Sequence, residues 1–403
     1  MIPFSPPRID QKIIDEVTDT LKSGWITTGP KTKRFEKEIT AYCNNKSTLC
    51  LNSATAGLEI MLRWFGVGPG DEVILPAYTY SATANVIMHC GAKPVFVDVC
   101  EDFNICITEV IKHINEKTKV IMPVDFAGYP CNYEELNNIV KSPEIIAKFK
   151  PTSDEQKLLG RILIISDAAH SFGATYKGKK TGALTDVSVF SFHAVKNLTT
   201  AEGGAIALNL PAPFDNDAVY KYLCIKTLHG QNKDALAKTQ PGNWRYDIIE
   251  AGYKMNMTDI MASIGLVELD RYDSETMPVR KKIFDSYTEA FSDNRHLCIP
   301  EYQNDFKKSS YHLYALRIKN SSEEQRDKII QKIVEKQVSV NVHFIPVPMM
   351  SFYISKGYAI HNYPKTHTLY SQEISLPVFY NLNTEMQQQV IDAVKLSVNE
   401  VMG

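Results

Sequence analysis

The sequence contains no apolar run near the roughly 20 residues that a membrane-spanning helix requires. It also lacks any long block of one charge sign. Its 44 basic and 46 acidic residues leave a formal net charge of −2, so nothing in the balance calls for nucleic acid or an anionic membrane as partner. Eight cysteines, at 43, 50, 90, 100, 106, 131, 224 and 298, form no C-x-x-C pair. That excludes the usual zinc spacings and a disulfide framework, and the cysteines are expected to be reduced packing residues. The ten histidines show no H-x-x-x-H spacing, so no metal is expected. Repeats and low-complexity tracts are missing too. Residues 1–8 have neither the basic start nor the apolar middle of a signal peptide, and a cytoplasmic location is the expectation.

What is present is an ordinary globular composition, 44% hydrophobic and 22% charged, in a chain of 403 residues, enough for one catalytic unit of two subdomains. Ile9, Ile13, Val17 and Leu21 share one helical face before Ser23-Gly24 stops it, and a second helix begins near Thr55. Short apolar strands at 73–75, 94–97, 120–124, 162–165, 187–192 and 205–208 then alternate with helical stretches, the pattern of an α/β domain with a largely parallel sheet. After about residue 260 the pattern changes. Strands are expected at 311–318 and 338–345, around a helix at 323–336 with Ser322 and Gln325 as its capping box, and a last helix at 385–401. The expected division is a large domain, 1–260, and a smaller C-terminal α+β domain, 261–403. The polar stretch 141–160 reads as a surface insertion.

Lys196 carries the chemistry. It follows the β-type run 187–190 and precedes polar residues and the glycine pair Gly203-Gly204, where a fold can hold an amine in a dry pocket and lower its pKa for Schiff-base formation. Upstream, the apolar run 162–165 ends in Ser166-Asp167, placing a carboxylate at the carboxyl end of a strand, where ligands of open α/β sheets collect. A lysine for an aldehyde and an acid for a ring nitrogen together read as a pyridoxal phosphate (PLP) site. Asp167 alone is equally a helix cap. The small residues 52–57 open a helix whose free N–H groups attract a dianion, with Ser191 as a further hydroxyl donor, and 76–83 offers aromatic rings for stacking.

The blocks at 24–30, 52–56, 76–83, 167–173, 191–204, 253–259 and 342–344 resemble, in order and spacing, the DegT/DnrJ/EryC1/StrS family of PLP-dependent nucleotide-sugar aminotransferases. The block around Lys196 is the most specific, and the resemblance covers essentially the whole chain. It implies the fold type I, aspartate aminotransferase-like architecture: a large domain with a mostly parallel mixed sheet and a smaller C-terminal α+β domain. It also implies that Lys196 is the Schiff-base lysine and proton carrier, that Asp167 pairs with the pyridine nitrogen, and that His170, where many relatives have glutamine, lies near the 3-oxygen. By the same resemblance Tyr80 is the stacking ring, Ala54, Thr55 and Ser191 hold the phosphate, and Asn256 reaches the phosphate of a second subunit in a homodimer with shared active sites. Asp125 departs from the pattern, standing where relatives often carry histidine, and 141–160 is longer than in compact members.

The implied reaction takes an amino group from L-glutamate, releasing 2-oxoglutarate, and gives it to a nucleotide-linked keto sugar by ping-pong kinetics. A dehydrase branch has histidine in place of the lysine, so Lys196 argues for transamination. Glu202 before the glycine pair, with the Ser-Phe-His opening, is similar to members acting on C4 ketones. The expected substrate is a 4-keto-6-deoxy sugar, with UDP-2-acetamido-4-keto-2,4,6-trideoxyhexose first among them and dTDP sugars next, for surface polysaccharide or glycan synthesis. Expected substrate contacts are His343 with the turn Pro346-Val347-Pro348, His193, and Tyr311-His312, with Arg245 and Lys254 toward a diphosphate; a histidine placed like His193 is more often a structural donor. The alternatives are a keto-cyclitol aminotransferase of scyllo-inosose type and a non-catalytic PLP-binding regulator, the latter disfavoured by the lack of an appended DNA-binding arm.

Overall fold

The computed structural model describes residues 1–233 and 245–403. Seven strands build the central sheet: β1 (Ser47–Leu51), β2 (Glu72–Pro76), β3 (Lys93–Val97), β4 (Thr118–Ile121), β5 (Leu163–Asp167), β6 (Val187–Ser191) and β7 (Gly204–Leu208). They lie in the order β1-β7-β6-β5-β4-β2-β3. The pairings from β3 across to β6 are parallel, and β7 runs antiparallel to both β6 and β1. Helices cover both faces, so most strand residues are buried and read as short apolar runs with no alternation. The expected strands of this sheet are all present. β1 was not among them, because Ser47, Thr48 and Cys50 break the apolar run although all five of its residues are buried.

This topology gathers the motif residues at one edge. Asp167 and Ser191 end β5 and β6, and residues 77–83 follow β2. The reversed β7 begins at that same edge with Gly204, and β1 leads through Ser53 into the helix Ala54–Trp64.

The C-terminal part has a three-stranded antiparallel sheet of Leu297–Cys298, Tyr314–Ile318 and Glu373–Leu376, with helices Met277–Phe291, Glu323–Glu335 and Thr384–Met402. The Ser322/Gln325 capping box forms as expected. The strand expected at 338–345 does not: this stretch makes only isolated bridges, Val338 to Ile2 and Asn341 to Ser375. Beyond it, after Pro346, the chain returns to the central sheet, where Tyr353 and Tyr358 pack edge-on against Phe96 of β3. The first helix, Gln11–Ser23, is capped by Asp10 and anchored through Ile13, whereas Ile9 and Leu21 of the expected apolar face are exposed. The 141–160 stretch folds into two short helices, Pro143–Lys148 and Asp154–Leu159, held by the Gln156 amide donating to Phe65 O at 2.9 Å.

Block 253–259 has a structural task. Asp259 starts the helix Asp259–Asp270, and its carboxylate accepts from the N–H groups of Gly29, Lys31 and Thr32, capping the helix Pro30–Cys43, whose own N-cap residue is a glycine.

Candidate active site

A cavity of about 360 Å³ opens at the motif edge of the sheet, lined by Thr55, Tyr80, Asp167, His170, Lys196 and His343 among others. Lys196 stands in the loop between β6 and β7. That loop is tied down by Phe192 N–H donating to Gly203 O and Thr200 N–H to Phe192 O, and by the Asn197 amide, which donates to Ser310 O at 2.7 Å and meets His312 Nδ1 at 2.8 Å. Burial pulls the Lys196 amine down to about 8, with the charge of Asp167 opposing. A share of neutral amine is therefore available near neutral pH, as a nucleophilic lysine requires.

Asp167 is buried at the end of β5, where Oδ2 accepts from Thr83 Oγ1 at 2.8 Å and Oδ1 from Ala169 N at 3.2 Å. Thr79 Oγ1 lies 2.8 Å from Thr83 Oγ1, and with the Thr83 hydrogen given to Asp167 it is Thr79 that donates. Burial raises the Asp167 carboxyl above the usual carboxylate range, while Thr83, the Ala169 N–H and the Lys196 charge oppose it. A cation placed beside it, such as a protonated ring nitrogen, would return it to the ionised state.

His170 lies over His312, ring centroids 4.4 Å apart, and its buried Nδ1 has no hydrogen-bond partner. Burial, followed by the Lys196 and His343 fields, holds it well below its ordinary pKa. A neutral imidazole with an orphan nitrogen fits a ligand oxygen. At the other end, Ala54 and Thr55 line the cavity at the first turn of their helix, where backbone N–H groups lack intrahelical acceptors and the helix dipole favours an anion. Gly204 makes this possible: a Cβ there would sit 2.4 Å from Ala54 N. Ser191 also lines the cavity, and Tyr80, 61% exposed, offers its ring at the rim 5.6 Å from Phe344. Amine, buried acid, orphan imidazole, anion-binding helix end and exposed ring are the set that PLP asks of a protein, and the residues present fit it.

Of the expected substrate residues, His343 and His193 line the cavity, His193 at its mouth with Nε2 3.6 Å from Glu202 Oε1. Tyr311 does not. It is buried between Phe284 and Tyr302, with its backbone in a left-handed φ of 58°. Asn256 also lies outside the cavity of its own chain, donating to Thr28 Oγ1 at 2.6 Å. Arg245 and Lys254 are not among the lining residues. Asp125 is a buried structural acceptor for Tyr133 and Ser171 hydroxyls and for Cys131 N–H. Sequence reading missed Phe4, Ser5, Leu313, Leu376 and Val378 of the lining. Apolar residues far apart in the chain carry no local signal of sharing a cavity.

The fold and the site define a PLP-dependent transferase of fold type I. Comparison with known proteins gives the family. The family model for the DegT/DnrJ/EryC1/StrS aminotransferase family matches residues 7–149 and 153–395. The proposed sugar aminotransferase Spr1654 of Streptococcus pneumoniae superposes with a TM-score of 0.95 in its PMP form, at 46% identity over 100% of both chains. Its PLP form gives 0.94 at 44%, again over 100% of both chains. Spore coat polysaccharide biosynthesis protein SpsC of Bacillus subtilis is 34% identical over 98% of this chain and 96% of its own. UDP-4-amino-4-deoxy-L-arabinose–oxoglutarate aminotransferase of Shewanella sediminis is 32% identical over 100% and 98%. The chain belongs to the DegT/DnrJ/EryC1/StrS aminotransferase family, and it is an aminotransferase with pyridoxal phosphate as cofactor.

Proposed function

We propose that this aminotransferase moves the amino group of L-glutamate to the C4 ketone of a nucleotide-linked 4-keto-6-deoxy sugar, with UDP-2-acetamido-4-keto-2,4,6-trideoxyhexose as the first candidate. The observation that carries the reading is Lys196: an amine held at about 8 on the wall of a cavity that Asp167 and His170 also line. PLP, when bound, supplies the electron sink that makes an α-proton labile. Lys196 Nζ takes and returns that proton, because a partly desolvated amine near neutral pKa can be both base and acid. Asp167, held by Thr83 and the Ala169 N–H, keeps its carboxylate aimed along β5. The helix end at Ala54 and Thr55 holds the phosphate. The buried Leu313 and Leu376, with the partly buried Phe344, keep water from the reacting atoms.

The donor and the sugar class draw support from the relatives named for oxoglutarate and a UDP sugar and for polysaccharide synthesis. A homodimer with shared sites rests on the family resemblance, and it is in keeping with Asn256 lying outside the cavity of its own chain. Adding glutamate to the PLP-loaded protein should change its absorbance and release 2-oxoglutarate, and one member of a panel of UDP- and dTDP-4-keto-6-deoxy sugars should reverse the change, with Lys196→Ala inert. Reversal by scyllo-inosose alone would replace the sugar assignment with the keto-cyclitol one. Sedimentation showing a monomer that turns over would remove the shared-site reading.

A further inference from the structure

Behind His343 a chain of buried polar groups leads away from the cavity. Its ring Nδ1 is 2.9 Å from Ser375 Oγ, Ser375 Oγ is 2.5 Å from Glu373 Oε1, and Glu373 Oε2 accepts the backbone N–H of His343 at 3.0 Å. Glu373 and Ser375 are fully buried on the strand Glu373–Leu376. An amide N–H only donates, so Oε2 must accept in either charge state, and a proton on the carboxyl belongs on Oε1, facing Ser375. With Glu373 neutral, Ser375 accepts from Oε1–H and gives its own hydrogen to His343 Nδ1, so the imidazole hydrogen sits on Nε2. With Glu373 ionised the order reverses. Ser375 donates to Oε1, His343 Nδ1–H donates to Ser375, and Nε2 carries a lone pair. The ring lines the cavity and Nδ1 is engaged behind it, which leaves Nε2 as the nitrogen available to a ligand.

We propose that Glu373, acting through Ser375, sets the tautomer of His343 and so decides whether the imidazole offers the cavity a hydrogen-bond donor or an acceptor. Glu373 and Ser375 are positioning residues, and His343 is the group that meets the ligand. The consequence for specificity rests on the sugar reading above: a ketone oxygen can only accept, so the Nε2–H form suits a keto sugar, whereas a hydroxyl can meet either form.

The surroundings favour the neutral carboxyl. Burial raises Glu373 to about 8, while the Ser375 hydroxyl, the His343 N–H and the Arg326 charge pull it down. The Tyr78 phenol, itself raised and neutral, faces the same carboxyl. On the imidazole side, burial and the Lys196 charge hold His343 at about 4, and His170 and His312, both neutral, are its other titratable neighbours. The ring therefore stays uncharged across the range in which Glu373 titrates, and pH moves its hydrogen from one nitrogen to the other without adding one.

The test is 15N spectroscopy of the full chain with labelled histidine, the His343 ring signals being assigned with His343→Gln. The wild type should show the Nε2–H form at about pH 6 and convert to the Nδ1–H form with a midpoint near 8. Glu373→Gln, whose amide keeps an acceptor for the His343 N–H and a permanent donor for Ser375, should hold the Nε2–H form throughout. Ser375→Ala should remove the transition, and it decides the matter if Glu373→Gln does not fold. A wild-type tautomer that is constant from about pH 6 to 10, or a wild-type transition surviving in either variant, overturns the proposal. The readout needs no sugar, so an error in the substrate assignment leaves this result intact.

Discussion

Lys196→Met in the protein without PLP tests the electrostatic basis of the site. Burial lowers the Lys196 amine from 10.5 to about 8, a shift that corresponds to roughly 3 kcal/mol of differential interaction at about 1.4 kcal/mol per unit. The sign follows from proton binding: between those two pKa values the unfolded chain holds a proton that the folded chain has released, so stability rises with pH across the window. Below the folded value the whole cost of burying the ammonium is present. An uncharged side chain of similar length removes that cost, so Lys196→Met should stabilise the PLP-free protein at pH 7 by up to about 3 kcal/mol, a gain that disappears above about pH 10.5. Urea unfolding of both proteins at the two pH values measures it. Pulsed acylation across the pH range, read by mass spectrometry on the Lys196 peptide, gives the amine's titration directly. Because Asp167 opposes the shift, Asp167→Asn should lower the midpoint further. A midpoint above about 10 together with no stability gain from Lys196→Met would refute the reasoning, because Lys196 would then titrate as a solvated surface lysine.

Gly204→Ala should abolish PLP retention and cost about 1–3 kcal/mol, since its Cβ would meet the backbone of Ala54 and Ser53 at 2.4–2.5 Å; equilibrium dialysis and thermal melts check both. Asp259→Ala strips a buried acceptor from the N–H groups of Gly29, Lys31 and Thr32 and should lower stability by about 2 kcal/mol or more, seen as a shifted urea midpoint. Tyr311→Phe removes a buried hydroxyl without a partner, away from the cavity, and should leave KM and kcat unchanged with stability equal or higher. If KM for the sugar rises severalfold, the placement of Tyr311 away from the cavity, between Phe284 and Tyr302, is wrong.

Lys196, Asp167, His170 and Tyr80 were legible because each lies inside or beside a local pattern: a short apolar strand that stops, then polar or small residues. Strand termination is a short-range property, and in an α/β sheet the ends of parallel strands meet at one edge, so a local signal pointed to Lys196 and Asp167, while the family resemblance singled out His170 and Tyr80. The Glu373–Ser375–His343 chain had no such signal. No strand was expected at 373–376, and only in the folded chain does pairing of this stretch with Tyr314–Ile318 bury both Glu373 and Ser375. Tyr311 went the other way: it opens the strand expected at 311–318, but the strand begins at Tyr314, and a left-handed φ at Tyr311 accompanies a ring buried away from the cavity.

The sequence by itself pointed to an α/β fold and to Lys196, Asp167 and the helix start at 52–57 as candidates, because strand ends and helix caps are signals within about ten residues, and the family resemblance supplied the roles expected of them. The tertiary structure decided which residues from distant segments share the cavity, which groups are dry enough to shift their pKa, and which hydrogen bonds remain open. Those properties depend on solvent exclusion by the whole fold, and no local stretch of sequence encodes how completely its neighbours will cover it.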